Sequence, residues 1–344
     1  MTLSGTARFG KELDWNQATP NLQYLVIHIF GNFGELGNMT FFLSSAWFLC
    51  MSKKNHKDRL VQLVGNNWVI NFLLLVVILV LGFRPSATQL IQQLFPTLFA
   101  VNWYVTAYVI FYLAYPGINV MLANLTQRQH LLTAMMLVVM YFGFAWVKGD
   151  MFFPSVLLYW LAAYILVSYI RHYAIETFSS KKVLLIGALI GFAGMVEIDS
   201  LINFLGLHVG ALSNKAAHFQ GHNNPFVLLL ALSLLGLAIR KKGWSSRIIN
   251  YISGLSLFVY VIHENQMVRV FLRPLYFVYI KQHFGFSLIL LWLLLFAVGL
   301  FAVSVVLSIG YKEVLEPRVV RVCRFVQGKL GKLNKFVVAL ERIK

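Results

Sequence analysis

Charge is what this sequence has least of. Of its 344 residues only 12% are Asp, Glu, Lys or Arg, while 59% are hydrophobic and the mean hydropathy is +0.73. That balance excludes a soluble domain whose surface must stay hydrated. Acid is scarcer than base: 12 Asp and Glu stand against 29 Lys and Arg, for a net charge of +17. The surplus does not point to nucleic acid, because the basic residues stand mainly in short loops between apolar runs and in the tail beyond Tyr311, which is the pattern of membrane topology. Cysteine is limited to Cys50 and Cys323, which excludes a disulfide framework and leaves two inert thiols as the expectation. A Walker motif, a Rossmann glycine pattern, a nucleophile elbow, an internal repeat and a low-complexity tract are also missing. The first residues lack the basic and apolar regions of a signal peptide.

What is present is a series of apolar runs long enough to cross about 30 Å of hydrocarbon at about 1.5 Å per residue. They lie at 36–52, 66–84, 100–122, 131–148, 154–173, 183–206, 225–240, 251–272 and 286–310, and they predict an all-α, polytopic transmembrane bundle of about nine spans. Most Lys and Arg fall in alternate loops, represented by Lys53, Lys54, Lys57 and Arg59, then Arg128, then Arg171, Lys181 and Lys182, then Arg240 to Arg247, and in the tail. Positive loops stay inside, so the C-terminus is expected in the cytoplasm and the N-terminus outside. Three parts follow: an extracytoplasmic segment over 1–35, whose stretch 21–33 is too short to span and reads as interfacial or re-entrant; a membrane domain over 36–310; and a tail over 311–344. In the tail Val319, Val322, Val326, Leu330 and Leu333 share a face among basic residues, as in an amphipathic helix lying on the lipid of the inner leaflet. An odd span number with an external N-terminus calls for one more inside-to-outside span ahead of Met1.

Chemistry concentrates in FVYVIHENQMVR, Phe258 to Arg269. On a helix Ser256, Tyr260 and His263 line one stripe. Ionisable residues at membrane depth cost about 2.5 to 3.5 kcal/mol each, so they pair or line a wet cavity. A water-accessible hollow walled by His263 is therefore expected, with Glu264 projecting about 100° away from the imidazole and Asn265 sharing a face with Arg269. Glu197 and Asp199, inside another apolar run, are candidate partners for Arg269 or Arg273. The stretch from His28 to Leu49 joins Gly31, Gly34 and Gly37 to Glu35, Asn38, Ser44 and Ser45; it reads either as close helix packing or as a ligand-lined entry. The other histidines, among them His130, His172, His218 and His222, lie in or beside loops and are expected to be solvated. His218 and His222 are four apart in AHFQGHNNP, but the Gly and Asn-Asn-Pro make this a loop, and no metal site is expected.

Several stretches in order resemble the acyltransferase 3 family of bacterial integral-membrane acyltransferases. FFLSSAWFL from Phe41 resembles its aromatic pair followed by small residues, with Ala46 where glycine is usual. DRLVQLVGNNWVINF from Asp58 is similar to its basic lead into a helix, and NWYVTAYVIFYLAYPGIN from Asn102 to its Trp-Tyr helix. LYWLAAYILVSYIRHY from Leu158 looks like its Tyr-rich helix, and YVIHENQMVR from Tyr260 resembles the Tyr-x-x-His-acidic-Asn-x-x-x-Arg pattern of its polysaccharide-modifying branch. The resemblance implies O-acetylation of a cell-surface glycan hydroxyl, with acetyl-CoA as cosubstrate and no metal, by a multi-pass protein of the bacterial cytoplasmic membrane. It implies that a histidine on the family's first helix is the general base, so that His263 and Tyr260, with Asn265 and Arg269, are the catalytic-site candidates for acceptor positioning or transition-state hydrogen bonding, beside acceptor contacts from Glu264, Trp103, Tyr104 and Ser45. The CoA phosphates would be attracted by Lys53, Lys54 and Arg59. Family members begin with a further helix bearing an arginine and a histidine, which this sequence would have to receive from ahead of Met1, receive from a separate piece, or lack. Two alternatives stay open: a glycan or lipid transporter, for which no inverted repeat is found, and a non-catalytic remnant.

Overall fold

The computed structural model describes residues 22–52, 57–149, 155–212, 219, 221–240, 245–284 and 288–341. Every element among these residues is helical. We number the helices α1 (Leu22–Leu49), α2 (Lys57–Val80), α3 (Ala87–Leu94), α4 (Trp103–Ala123), α5 (Gln127–Val138), α6 (Val156–Tyr173), α7 (Lys181–His208), α8 (Pro225–Arg240), α9 (Arg247–Ser253), α10 (Ser256–His263), α11 (Arg273–Phe284), α12 (Ile289–Val314) and α13 (Glu316–Glu341). Single turns and two π-helical stretches, Val139–Phe144 and Val268–Leu272, complete the chain.

Among the described residues six helical stretches are long and apolar enough to cross a membrane: Asp58–Val80, Trp103–Ala123, Gln127–Val147, Val156–Tyr173, Lys181–Gly206 and Leu291–Val314. Many of their large apolar side chains are exposed, for example Leu294, Val298, Phe301 and Val306 on α12, as suits a helix whose solvent is lipid. The other three expected spans behave differently. The run 36–52 continues a helix that already starts at Leu22, so the piece expected to be re-entrant at 21–33 joins it without a break. Helix α8 has 16 residues, about 24 Å. The run 251–272 is interrupted after Ser253 and again after His263.

The chain divides into two compact units, the first of residues 1–53 and 114–244, the second of 54–113 and 245–344. In the first, α7 packs along α8 through the glycines of GALIGFAG. A Cβ on Gly191 would stand 2.7 Å from the backbone N of Leu230 and 2.9 Å from the carbonyl of Phe226, so only glycine lets the two backbones approach this closely. Helix α8 starts where Asn224, fully buried, accepts the N–H groups of Phe226 (2.8 Å) and Val227 (3.3 Å) on its side-chain oxygen, with Pro225 supplying the first helical φ.

The second unit is built on an apolar core of Ile70, Val105, Leu255, Phe258, Val259, Val261, Ile262 and Tyr311. Tyr311 donates to Asn66 Oδ1 at 2.7 Å. In the basic tail α13 lies against α2. There the thiol of Cys323, buried and free, approaches the carbonyl of Val61 at 3.7 Å, and burial pushes its pKa up.

Candidate functional site

The break after His263 is written in one side chain. Asn265 accepts the backbone N–H of Met267 on its own Oδ1 at 2.7 Å, an Asx turn that gives the chain an alternative to continuing the helix. Breaking a helix inside an apolar layer frees backbone carbonyls that lipid cannot satisfy. Here side chains satisfy them: Asn102 Nδ2 donates to Val261 O at 3.4 Å, and Arg273 Nη2 donates to His263 O at 2.6 Å. The helix then resumes through the π-helical turn Val268–Leu272, an irregularity frequent at functional sites.

Around this break the second unit assembles a buried amide network from four elements. Asn265 Nδ2 donates to Asn71 Oδ1 at 2.7 Å and to Gln93 Oε1 at 3.3 Å. Asn71 Nδ2 donates to Asn102 Oδ1 at 2.8 Å and to the carbonyl of Asn67 at 2.7 Å. Asn67 reaches Thr97 at 3.1 Å, and Gln266 donates to Gln92 Oε1 at 2.9 Å. Asn71, Gln93 and Asn265 are fully buried. A network of this kind fixes a unique geometry only when its members are satisfied, as these are.

Beside the amides lies the charged part. Glu264 is buried and accepts from Arg273 Nη2 at 2.9 Å. Arg269 Nη1 approaches its other oxygen at 3.9 Å. His263 donates from Nδ1 to the carbonyl of Val259 at 2.6 Å, which leaves the lone pair of a neutral ring on Nε2. That nitrogen stands 3.7 Å from Glu264 Oε1. Tyr260 accepts the N–H of Tyr104 at 3.3 Å, its ring 5.6 Å from that of Tyr104, and Trp103 packs edge-on to Tyr104. The second unit thus brings together His263, Tyr260, Glu264, Asn265, Arg269, Trp103 and Tyr104.

It does not bring in the rest. Ser45 is half-buried on α1 in the first unit. Arg59 is exposed in the first turn of α2, and Lys53 and Lys54 lie outside the described residues. Arg269 and Arg273, for which Glu197 and Asp199 are the expected candidate partners, both approach Glu264; the side chain of Asp199 lies outside the described residues. Glu264 and His263, expected to diverge, approach each other because the helix ends between them. Sequence reasoning passed over Asn66, Asn67, Asn71, Gln93 and Asn102; the signal was there in GNNWVINF, three amides inside a run otherwise apolar.

In the first unit two expectations for histidines are corrected. His130 is buried and bonds the carbonyl of Ile165 through Nε2 at 3.2 Å. His222 bonds the buried carboxylate of Glu35 through Nδ1, in a loop fixed by Asn224 to Phe219 O at 3.0 Å. A half-open cavity of about 400 Å³ in this unit is lined by Cys50, Ser52, Asn119, His130, Ser168 and His172 among others. Among the described residues no group of His, Cys, Asp and Glu is placed to hold a metal ion.

A family model described as an acyltransferase domain matches residues 8–309. No curated protein matches the chain, and no solved structure does.

Proposed function

The chain belongs to the acyltransferase 3 family, and from that premise we propose that it moves an acetyl group from acetyl-CoA to a sugar hydroxyl of exopolysaccharide, capsule or another cell-surface glycan. Family membership and the six apolar helices make it a multi-pass membrane acyltransferase. The donor, the acceptor and the bacterial cytoplasmic membrane are our extension of that reading.

The observation that carries the extension is the imidazole of His263, held from behind by Val259 and facing the Glu264 carboxylate with its second nitrogen. Acyl transfer to an alcohol needs a group to take the hydroxyl proton as oxygen attacks the acyl carbonyl, and hydrogen-bond donors for the oxyanion that forms. In this reading Nε2 of His263 takes that proton. The Tyr260 hydroxyl lies on the same stripe and serves the oxyanion. Glu264 stabilises the imidazolium, Arg269, Trp103 and Tyr104 seat the sugar, and the proton leaves with the thiol of CoA. Asn265 spends its hydrogen bonds inside the protein, so its part is to hold the break open. Arg59, with Lys53 and Lys54, draws the CoA phosphates by charge.

The test is glycan acetate in cells lacking the gene, complemented with this chain or with His263→Ala at matched membrane levels. The wild-type chain restores O-acetyl groups and the variant loses at least about 100-fold in rate, the ordinary share of a general base. Unchanged acetate in all strains removes the enzymatic reading. It would favour a transporter, for which a broken helix at membrane depth is also a feature.

A further inference from the structure

The charged cluster is out of balance. One carboxylate, Glu264, serves two guanidiniums, so with a neutral imidazole the group carries one net positive charge. Arg273 is 4% exposed and has buried Nε with no acceptor. Arg269 is worse provided for: its nearest anion is 3.9 Å away, its Nε is also buried without an acceptor, and its side chain is 38% exposed. Among the described residues the other acids of this unit do not help. Asp58 sits in the first turn of α2, Glu313 accepts from Tyr251, Glu316 starts α13, and none of them pairs with either arginine.

The imbalance also lacks a topological cause. Positive residues in cytoplasmic loops set orientation, but by that same rule Arg84, Arg269, Arg273 and Lys281 fall on the opposite side. Cations kept there, two of them on one buried acid, stand at a cost in a medium of low dielectric unless an anion joins them. A guanidinium with a spare edge is shaped for a two-oxygen anion.

Resting on the acyltransferase reading, we propose that Arg269 receives an oxyanion carried by the acceptor glycan, a uronate carboxylate or a backbone phosphodiester, so that the acceptor is an acidic polymer. Arg269 and His263 flank the two oxygens of the same carboxylate. The anionic group and the reacting hydroxyl therefore belong to one sugar or to neighbours. Glu264 screens the guanidinium enough for a polymer to leave again, while Arg273, locked on His263 O and Glu264, keeps the acid in place.

The test is binding, which needs no turnover. Full-length protein in nanodiscs is titrated with a hyaluronan tetrasaccharide, with the same tetrasaccharide after carboxyl reduction, and with a glycerol-phosphate trimer. The acidic sugar is expected to bind at least tenfold more tightly than its reduced form. Arg269→Gln brings that ratio toward one, and Arg269→Lys retains part of it. Equal affinity of the acidic and reduced sugars for the wild-type protein, or a ratio that survives in Arg269→Gln, overturns the proposal. So does displacement of the sugar by coenzyme A that depends on Arg269, which would give the guanidinium to the donor phosphates. Binding of the trimer in place of the sugar, abolished by Arg269→Gln, supports the phosphodiester form. Tight, Arg269-dependent binding without acyl transfer would sink the enzymatic reading and leave the anion site standing. Transfer to neutral sugars with no preference for acid would do the reverse.

Discussion

Asn265 shows how much one side chain decides. Its oxygen ends the helix by taking the Met267 N–H, and its amide ties the break to α2 and α3 through Asn71 and Gln93. Replacing it with Leu, close in volume, takes the partner from the Met267 N–H, the Asn71 oxygen and the Gln93 oxygen, all buried. A loss of about 3 to 6 kcal/mol in stability is expected from three such orphaned groups, read as thermal unfolding in detergent. A Leu variant as stable as the wild type would mean that the helix simply closes over the position. From the sequence Asn265 is recognisable as polar in an apolar run, and so is Glu264. What the sequence does not hold is the pairing: Asn71 and Asn265 are 194 positions apart, and only the fold sets one amide against the other. For the same reason hydropathy, which makes Glu197 and Asp199 stand out, does not say which acid either arginine meets.

At the scale of the element, composition proved a good guide to helix and a poorer one to its ends. Among the described residues the apolar runs lie mostly on helix, since apolar length alone demands that the backbone bond to itself. The interruptions in 251–272 come from an Asx turn and a π-helical turn, which hydropathy does not register. Helix pairing is encoded in small residues, and α7 on α8 gives a direct trial. Gly191→Ala places a Cβ against the backbone of Leu230 and Phe226, where nothing can rotate away, and should cost about 1 to 3 kcal/mol as overpacking does. Gly299→Ala on α12, with nothing within 4 Å of the new Cβ, should instead gain about 0.5 to 1 kcal/mol through helix propensity. Equal effects at the two positions, measured by thermal unfolding side by side, would count against the close α7 and α8 contact.

For the whole molecule the scarcity of charge is the organising fact. It makes the chain a membrane protein, and the family match makes it an acyltransferase. Against that background each ionisable group away from the loops needs a reason. The first unit gives one to Glu35 and His222 by joining them; the second gathers His263, Glu264, Arg269 and Arg273. The proposed reaction depends first on the imidazole of His263 taking part in acyl transfer. It is tested most directly by purified protein in nanodiscs, given radiolabelled acetyl-CoA and an acidic oligosaccharide, with His263→Ala and His263→Gln beside the wild type. The prediction is label on the wild-type sugar and a fall of about 100-fold or more in both variants, with binding of the sugar retained. Label transferred by His263→Ala at the wild-type rate would contradict it.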